Sequence, residues 1–296
     1  MSQRPRTLAG VLKLGHRTFA DTDLLVMAIV NRTRDSFYDR GATWDEERAF
    51  DRVQQVVEEG ADVVDIGGVK AGPGEDVDAA EEVRRTVGLV ARVRAALPDV
   101  VISVDTWRAE VGRRVCEAGA DLLNDAWGGF DPLLAEVAAE FDAALVCTHT
   151  GGLAPRTPPH RMAYDDVVRS AIEDTVALAE RAVSVGVDPA SVLIDPAHDF
   201  GKNTWHSLEL TRRLDEMVAT GWPVLVSLSH KDFVGEALDV PLDQRLAGTL
   251  AATAVSAWQG ARVYRVHDAR ETRHVLDMVA TIKGTRQPSK VVRGLA

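Results

Sequence analysis

The sequence predicts an α/β fold: a (β/α)8 TIM barrel in one domain over 1–296, with 1–20 as an N-terminal extension. Three observations lead there. Eight short apolar runs, rich in Val and Ile, are nearly continuous rather than alternating, as parallel strands buried on both faces read. Segments of helical periodicity separate and follow these runs. The 296 residues leave room for long loops beyond the about 250 that such a barrel typically takes. The rival, an open doubly wound sheet, calls for G-x-G-x-x-G after its first strand, and residues 31–37 read NRTRDSF instead.

The elements follow in order. Strand 24–30 leads to helix 44–59, with Thr43 as its expected N-cap and Gly60 as its stop. Strand 62–66 leads to helix 77–97, ended by Pro98. Strand 100–104 pairs with helix 108–118, strand 121–124 with helix 132–140, and strand 143–147 with helix 164–185. The last three units are 192–194 with 205–219, 224–228 with 242–258, and 262–266 with 271–283. Gly119, Gly186, Gly221 and Gly260 fall just past helix ends, where a left-handed residue closes the last turn.

Composition narrows the function classes. Lys and Arg total 34 against 45 Asp and Glu, a net charge of −11, which argues against a nucleic-acid footprint over the whole surface. Two cysteines, Cys116 and Cys147, make no disulfide framework and suit a reducing cytoplasm. The N-terminal segment lacks a signal-peptide pattern, and no run approaches the ~18 apolar residues of a membrane span. The eight histidines show no H-E-x-x-H spacing.

In this fold the site lies at the C-terminal ends of the strands. Each predicted strand delivers polar residues there. Asn31 follows strand one, Asp65 closes strand two with Gly67 and Gly68, and Asp105 and Asn124 end strands three and four. His149 follows strand five, and Asp195 strand six, with Phe200 and Lys202 beyond. Ser229 and Lys231 follow strand seven, and Arg265 and His267 end strand eight. Asp105, Asn124 and Asp195 form a set suited to in-plane hydrogen bonds with a flat nitrogen heterocycle. Lys231 and Arg265 can bond it or stack on its face, and Asn31, Arg265 and His267 can hold an anion. The competing structural role for Arg265 is an ion pair with Asp268 or Asp39; Arg32 and Arg34 read as solvated loop residues, and Trp107, Trp127 and Trp205 as packing.

These strand ends resemble the dihydropteroate synthase family over nearly the whole chain. The family pattern contains N-x-T-P-D-S-F, D-I-G-G-E-S-T-R-P-G, S-V-D-T, N-D, D-P-G-x-G-F-G-K, S-R-K and R-x-H-D. Here the same order is found in 31–37, 65–74, 103–106, 124–125, 195–202, 229–231 and 265–268. The resemblance implies a (β/α)8 barrel that joins a hydroxymethyl-dihydropterin pyrophosphate to p-aminobenzoate, and a cytoplasmic homodimer formed through C-terminal helices. It implies that Asp105, Asn124, Asp195 and Lys231 bind the pterin. It implies that Asn31, Arg265 and His267 hold pyrophosphate, with Asn31 on its Mg²⁺, and that Phe200, Lys202 and Ser229 face p-aminobenzoate. Asn31, Lys231, Arg265 and His267 would then carry the catalytic charge stabilisation.

Departures from the family pattern are concentrated in the loops. Where the family has Glu-Ser-Thr-Arg, this chain has Val69, Lys70, Ala71 and Gly72. Loss of that Arg removes a bidentate cation from a developing dianion, an effect of ~2–4 kcal/mol by analogy with oxyanion donors. Arg34 replaces Pro, His230 replaces the Arg of S-R-K, and Ala197 and Asp199 replace two glycines. The expectation is a paralogue with a pterin-type pocket and little or no synthase activity; an active synthase with a rebuilt loop is the alternative. A methyltetrahydrofolate-dependent methyltransferase or a binding scaffold are further classes, and the N-x-T-x-D-S-F loop speaks against the former.

Overall fold

The computed structural model describes residues 11–33, 43–70, 72–157 and 162–294. Arg34, Asp35, Ser36, Phe37, Asp39 and Ala71 therefore lie outside the described residues, as do 1–10 of the expected extension.

The chain begins with an unpredicted hairpin, β1 (Val11–Leu14) and β2 (Arg17–Ala20), paired antiparallel with Leu12 opposite Phe19. The eight barrel strands follow: β3 (Leu25–Asn31), β4 (Val63–Gly67), β5 (Val101–Asp105), β6 (Leu122–Asp125), β7 (Ala144–Thr148), β8 (Val192–Asp195), β9 (Leu225–Val226) and β10 (Val263–Val266). All pair in parallel in the order β8-β7-β6-β5-β4-β3-β10-β9. A bridge between Ile194 and Val224, with the Ile194 N–H donating to the Pro223 carbonyl at 3.0 Å, joins β8 to β9 and closes the ring. The barrel predicted from the apolar runs is the observed fold, although the seventh strand is only two residues long.

The helices α1 (Glu46–Glu58), α2 (Ala79–Ala96), α3 (Ala109–Glu117), α4 (Leu133–Glu140) and α5 (Val167–Ser184) match their predicted positions. Asp45 caps α1 with its carboxylate, whereas the Thr43 hydroxyl donates to the Asn31 carbonyl at 2.5 Å. That corrects the expected cap and ties Thr43 to the strand that carries Asn31. Predicted helix 205–219 is two: α6 (Thr204–Arg212) and α7 (Leu214–Val218). They break at Arg213, whose guanidinium bonds Asp166, Glu209 and Glu216. An unpredicted short helix, α8 (Asp232–Leu238), precedes α9 (Leu246–Gln259) and α10 (Ala269–Ile282). Gly119, Gly186, Gly221 and Gly260 all have positive φ, as their positions past helix ends require.

Two apolar layers follow from the strand alternation. One lies between sheet and helices, with Val26, Val64, Ile102 and Leu123 fully buried against helical residues such as Leu89 and Val115. The other fills the N-terminal end of the barrel: Met27, Val63, Val101, Leu122 and Leu193 meet Leu12, Leu14 and Phe19 of the hairpin. The hairpin is thus a floor plug, and the polar strand ends lie at the opposite opening. Both cysteines are buried and reduced, Cys147 in the sheet–helix layer. Trp107 and Trp127 are buried, but Trp205 is 76% exposed and is not a packing residue. Among the described residues no helix is long and apolar enough to cross a membrane.

Candidate functional site

Strand register sets the base of the site. Asn31, Gly67, Asp105 and Asn124 are aligned neighbours across β3, β4, β5 and β6. A side chain at Gly67 would stand 3.2 Å from Asn31 Oδ1 and 3.8 Å from Asp105 Cβ. Glycine here keeps the row open between those two polar groups.

Beneath the row sits Asp65, a fully buried carboxylate. It accepts from Ser103 Oγ at 2.6 Å, from Arg265 Nε at 2.6 Å and from Asn124 Nδ2 at 3.4 Å. Arg265 uses its other arm on Asp105 at 2.8 Å. Its partners are therefore Asp65 and Asp105. Asp268, one expected partner, binds His230 at 2.6 Å instead, and Asp39 lies outside the described residues. The sequence reading noted Asp65 at its strand end without assigning it this role. The signal was present: an isolated carboxylate within a buried strand must find a cation or several donors. Burial raises the Asp105 carboxyl, Arg265 opposes this, and Asp65 adds to it.

Asp195, at the end of β8, is also buried; one carboxylate oxygen accepts the Ala197 N–H at 2.7 Å. Burial pushes its carboxyl up against the pull of Lys231. The Lys231 ammonium donates to the His198 carbonyl and lies 5.0 Å from the centre of the Phe200 ring. Phe200 in turn packs on Trp127, with ring centres 5.3 Å apart.

These residues surround a cavity of about 330 Å³ at the C-terminal ends of the strands. Asn31, Asp105, Phe200, Ser229, Lys231, Arg265 and His267 all line it, with Trp127, Val69 and Lys70. Asn124 and Asp195 line a deeper recess of about 30 Å³ that shares Asp105, Phe200, Lys231 and Arg265 with the larger space. Phe200 and Lys231 thus border both. Nine of the ten predicted site residues converge here. The exception is Lys202, which lines neither space: its ammonium is buried and donates to the carbonyls of His149 at 3.0 Å and Phe200 at 2.8 Å. Burial, helped by Lys231, holds its amine down to about 7.

The rim is neutral or cationic on one side. His267 Nδ1 is 3.0 Å from Ser229 Oγ, and burial together with Arg265 keeps its imidazole down to about 3, hence neutral. His230 stands edge-on to it, ring centres 5.9 Å apart. Arg32 is only 8% exposed, a correction to its expected solvation, and its Nε and Nη1 have no hydrogen-bond partner among the described residues. His149 and His198 are fully buried below the rim. For magnesium, the donor set is thin among the described residues. Asn31 supplies one neutral amide oxygen, while Asp65 and Asp105 are committed to Arg265. No group of three His, Cys, Asp or Glu converges among the described residues. Magnesium favours octahedral oxygen coordination with one or two carboxylates, so these residues do not form its site on their own.

The closed parallel barrel that carries this site is a fold shared with known proteins. A family model described as pterin binding enzyme matches residues 27–267. The chain belongs to the pterin binding enzyme family. Within it, the chain is a divergent paralogue of dihydropteroate synthase. A Mycobacterium leprae relative named inactive dihydropteroate synthase 2 is 59% identical over 276 residues, covering 92% of this chain and 95% of its own. The dihydropteroate synthase of Bacillus subtilis is 34% identical over 257 residues, 86% of this chain and 87% of its own. Among solved structures, Yersinia pestis dihydropteroate synthase in a sulfonamide drug complex superposes with a TM-score of 0.87. It is 33% identical and covers 93% of this chain and all of its own.

Proposed function

We propose that this protein is a pterin-binding barrel that no longer carries out the dihydropteroate synthase reaction. One observation carries the reading. The inner row is built as a heterocycle site, while the loop that should cover the leaving group reads Val69, Lys70, Ala71, Gly72. Asp105, Asn124 and Asp195 would take the edge of a pterin ring, Lys231 its carbonyl side and Arg265 its face. Asn31, His267 and Ser229 lie at the rim, where a diphosphate would leave, and Phe200 walls the adjoining space. Departure of pyrophosphate from a pterin leaves a cation, which Asp105 and Asp195 would stabilise. The leaving dianion, however, lacks a planar guanidinium in loop two, and Lys70 offers only a point charge. Lys202, held by two carbonyls, serves to shape the loop. The name of the Mycobacterium leprae relative supports the same reading.

The protein is read further as one barrel domain over 1–296, cytoplasmic, and as a homodimer through α9 and α10. Trp258, Met278 and Ile282 on these helices are more than half exposed. A monomer mass by light scattering at micromolar concentration would remove the dimer from this reading.

The deciding experiment is calorimetric titration with the pterin pyrophosphate and magnesium, then p-aminobenzoate, with chromatography of the contents. Heat on the first addition and no dihydropteroate after the second is expected. Dihydropteroate would establish an active synthase; no heat on the first addition would refute the pterin reading.

A further inference from the structure

The outer end of the cavity carries a carboxylate where the family pattern has glycine. Asp199 lines the space beside Phe200. Its backbone is left-handed, φ +67°, a conformation that costs a non-glycine residue of order 1 kcal/mol. The side chain is fixed: Oδ1 accepts from Ser207 Oγ at 3.0 Å, and Oδ2 from the Phe233 N–H at 3.3 Å. These are donors that a ligand carboxylate would otherwise use. The nearby cations already face acids of the protein: Lys231 and Lys202 each face Asp195 and Asp199, with their ammonium hydrogens on backbone carbonyls, and Arg245 is paired with Asp232, the second acid lining this end. The wall between them is aromatic, Trp127 on Phe200.

We propose that Asp199 sets the specificity of this outer end, so that it takes a neutral or cationic aromatic amine and refuses a benzoate. The proposal rests on reading the cavity as a ligand site, and it names the class of its second ligand. A ring seated against Phe200 and Trp127 points its far substituent toward Asp199. A carboxylate there meets a like charge and finds its donors already used. An amide meets an acceptor, and an amidinium meets an opposite charge.

The test is calorimetry with 4-aminobenzamidine, 4-aminobenzamide and 4-aminobenzoate, each with and without 6-hydroxymethylpterin, whose own binding is measured first. The wild type is expected to bind the three in that order, amidine and benzoate separated by on the order of tenfold or more. Asp199→Asn keeps the hydrogen-bonding shape and the left-handed tolerance and removes the charge. It should bring the two within about threefold. Asp199→Gly suits the same backbone and should favour the benzoate. The inference is overturned if the benzoate binds the wild type as well as the amidine does, or if Asp199→Asn leaves the order unchanged. It is also overturned if the pterin binds and none of the three does. Ordered amine binding without pterin binding would uphold Asp199 and sink the pterin reading alone.

Discussion

The floor of the cavity and its rim solve different problems. On the floor, the Asp65–Arg265 network runs from strand to strand: Asp65 from β4 is met by β5, β6 and β10, and Arg265 returns to β5. The geometry belongs to the barrel, and any change must be compensated by three neighbours at once. At the rim, side chains are answered mostly by neighbouring loops: Lys231 by the His198 carbonyl, Asp199 by Ser207 and the Phe233 N–H, His230 by Asp268. The motif departures at 69–72, 197, 199 and 230 all fall in the loops that follow strands, and none falls on Asp65, Ser103, Asn124 or Arg265.

The sharpest way to break this contrast is Asp65→Ala. Arg265 would lose one of its two carboxylates, and Ser103 and Asn124 their acceptor, so unfolding in urea should show a loss of about 3–5 kcal/mol. A loss under about 1 kcal/mol would mean that the floor is no more constrained than the rim. Next comes Asp195→Asn, which keeps shape and removes charge. Pterin affinity should fall about 10- to 100-fold, the worth of a hydrogen bond to a charged group, with the melting temperature unchanged or higher. Unaltered affinity would show that the recess does not read the ring.

A third test uses pH. Burial holds His149 and His267 down to about 3, while an unfolded histidine titrates near 6.5. Below 6.5 the unfolded chain takes up protons that the native chain refuses. Their contribution to stability is therefore full above about pH 6.5 and is lost as pH falls toward 3. His149→Gln should remove about 2 kcal/mol of the loss between pH 7.5 and pH 5, read as the difference in urea midpoints. The smallest effect is expected at the rim itself. Restoring Ser-Thr-Arg at 70–72, with the buried Val69 kept, should move stability by less than about 0.5 kcal/mol. A cooperative loss of several kcal/mol would mean that loop two is built into the barrel after all.

The barrel was legible because parallel strands buried on both faces leave continuous apolar runs, and because glycines mark helix ends by conformation rather than by context. The strand-end residues were legible as a set, since fold geometry gathers them at one opening. Pairing within the set was not. Arg265 could have met any nearby acid, and only register shows that Asp65 and Asp105 are in reach. The hairpin was missed although VLKL and RTFA alternate around Gly15 and His16, a recognisable two-strand signal. The break at Arg213 is hidden from the sequence because helical periodicity runs through it, although the backbone there leaves helical values at φ −110°, ψ 26°. Lys202 was placed by pattern at the ligand, whereas its burial among carbonyls is a property of the folded loop.

The hairpin under the barrel also has a consequence in time. Its apolar side is answered by residues as distant as Leu225 and Val263, and Arg262 bonds the carbonyls of Ala20 and Asp23. Its partners are therefore spread along the chain from Met27 to Val263, and the last of them come more than 200 residues after it. Leu12, Leu14 and Phe19 are fully covered only when the eighth strand is in place, so complete burial of the hairpin is tied to closure of the ring above it.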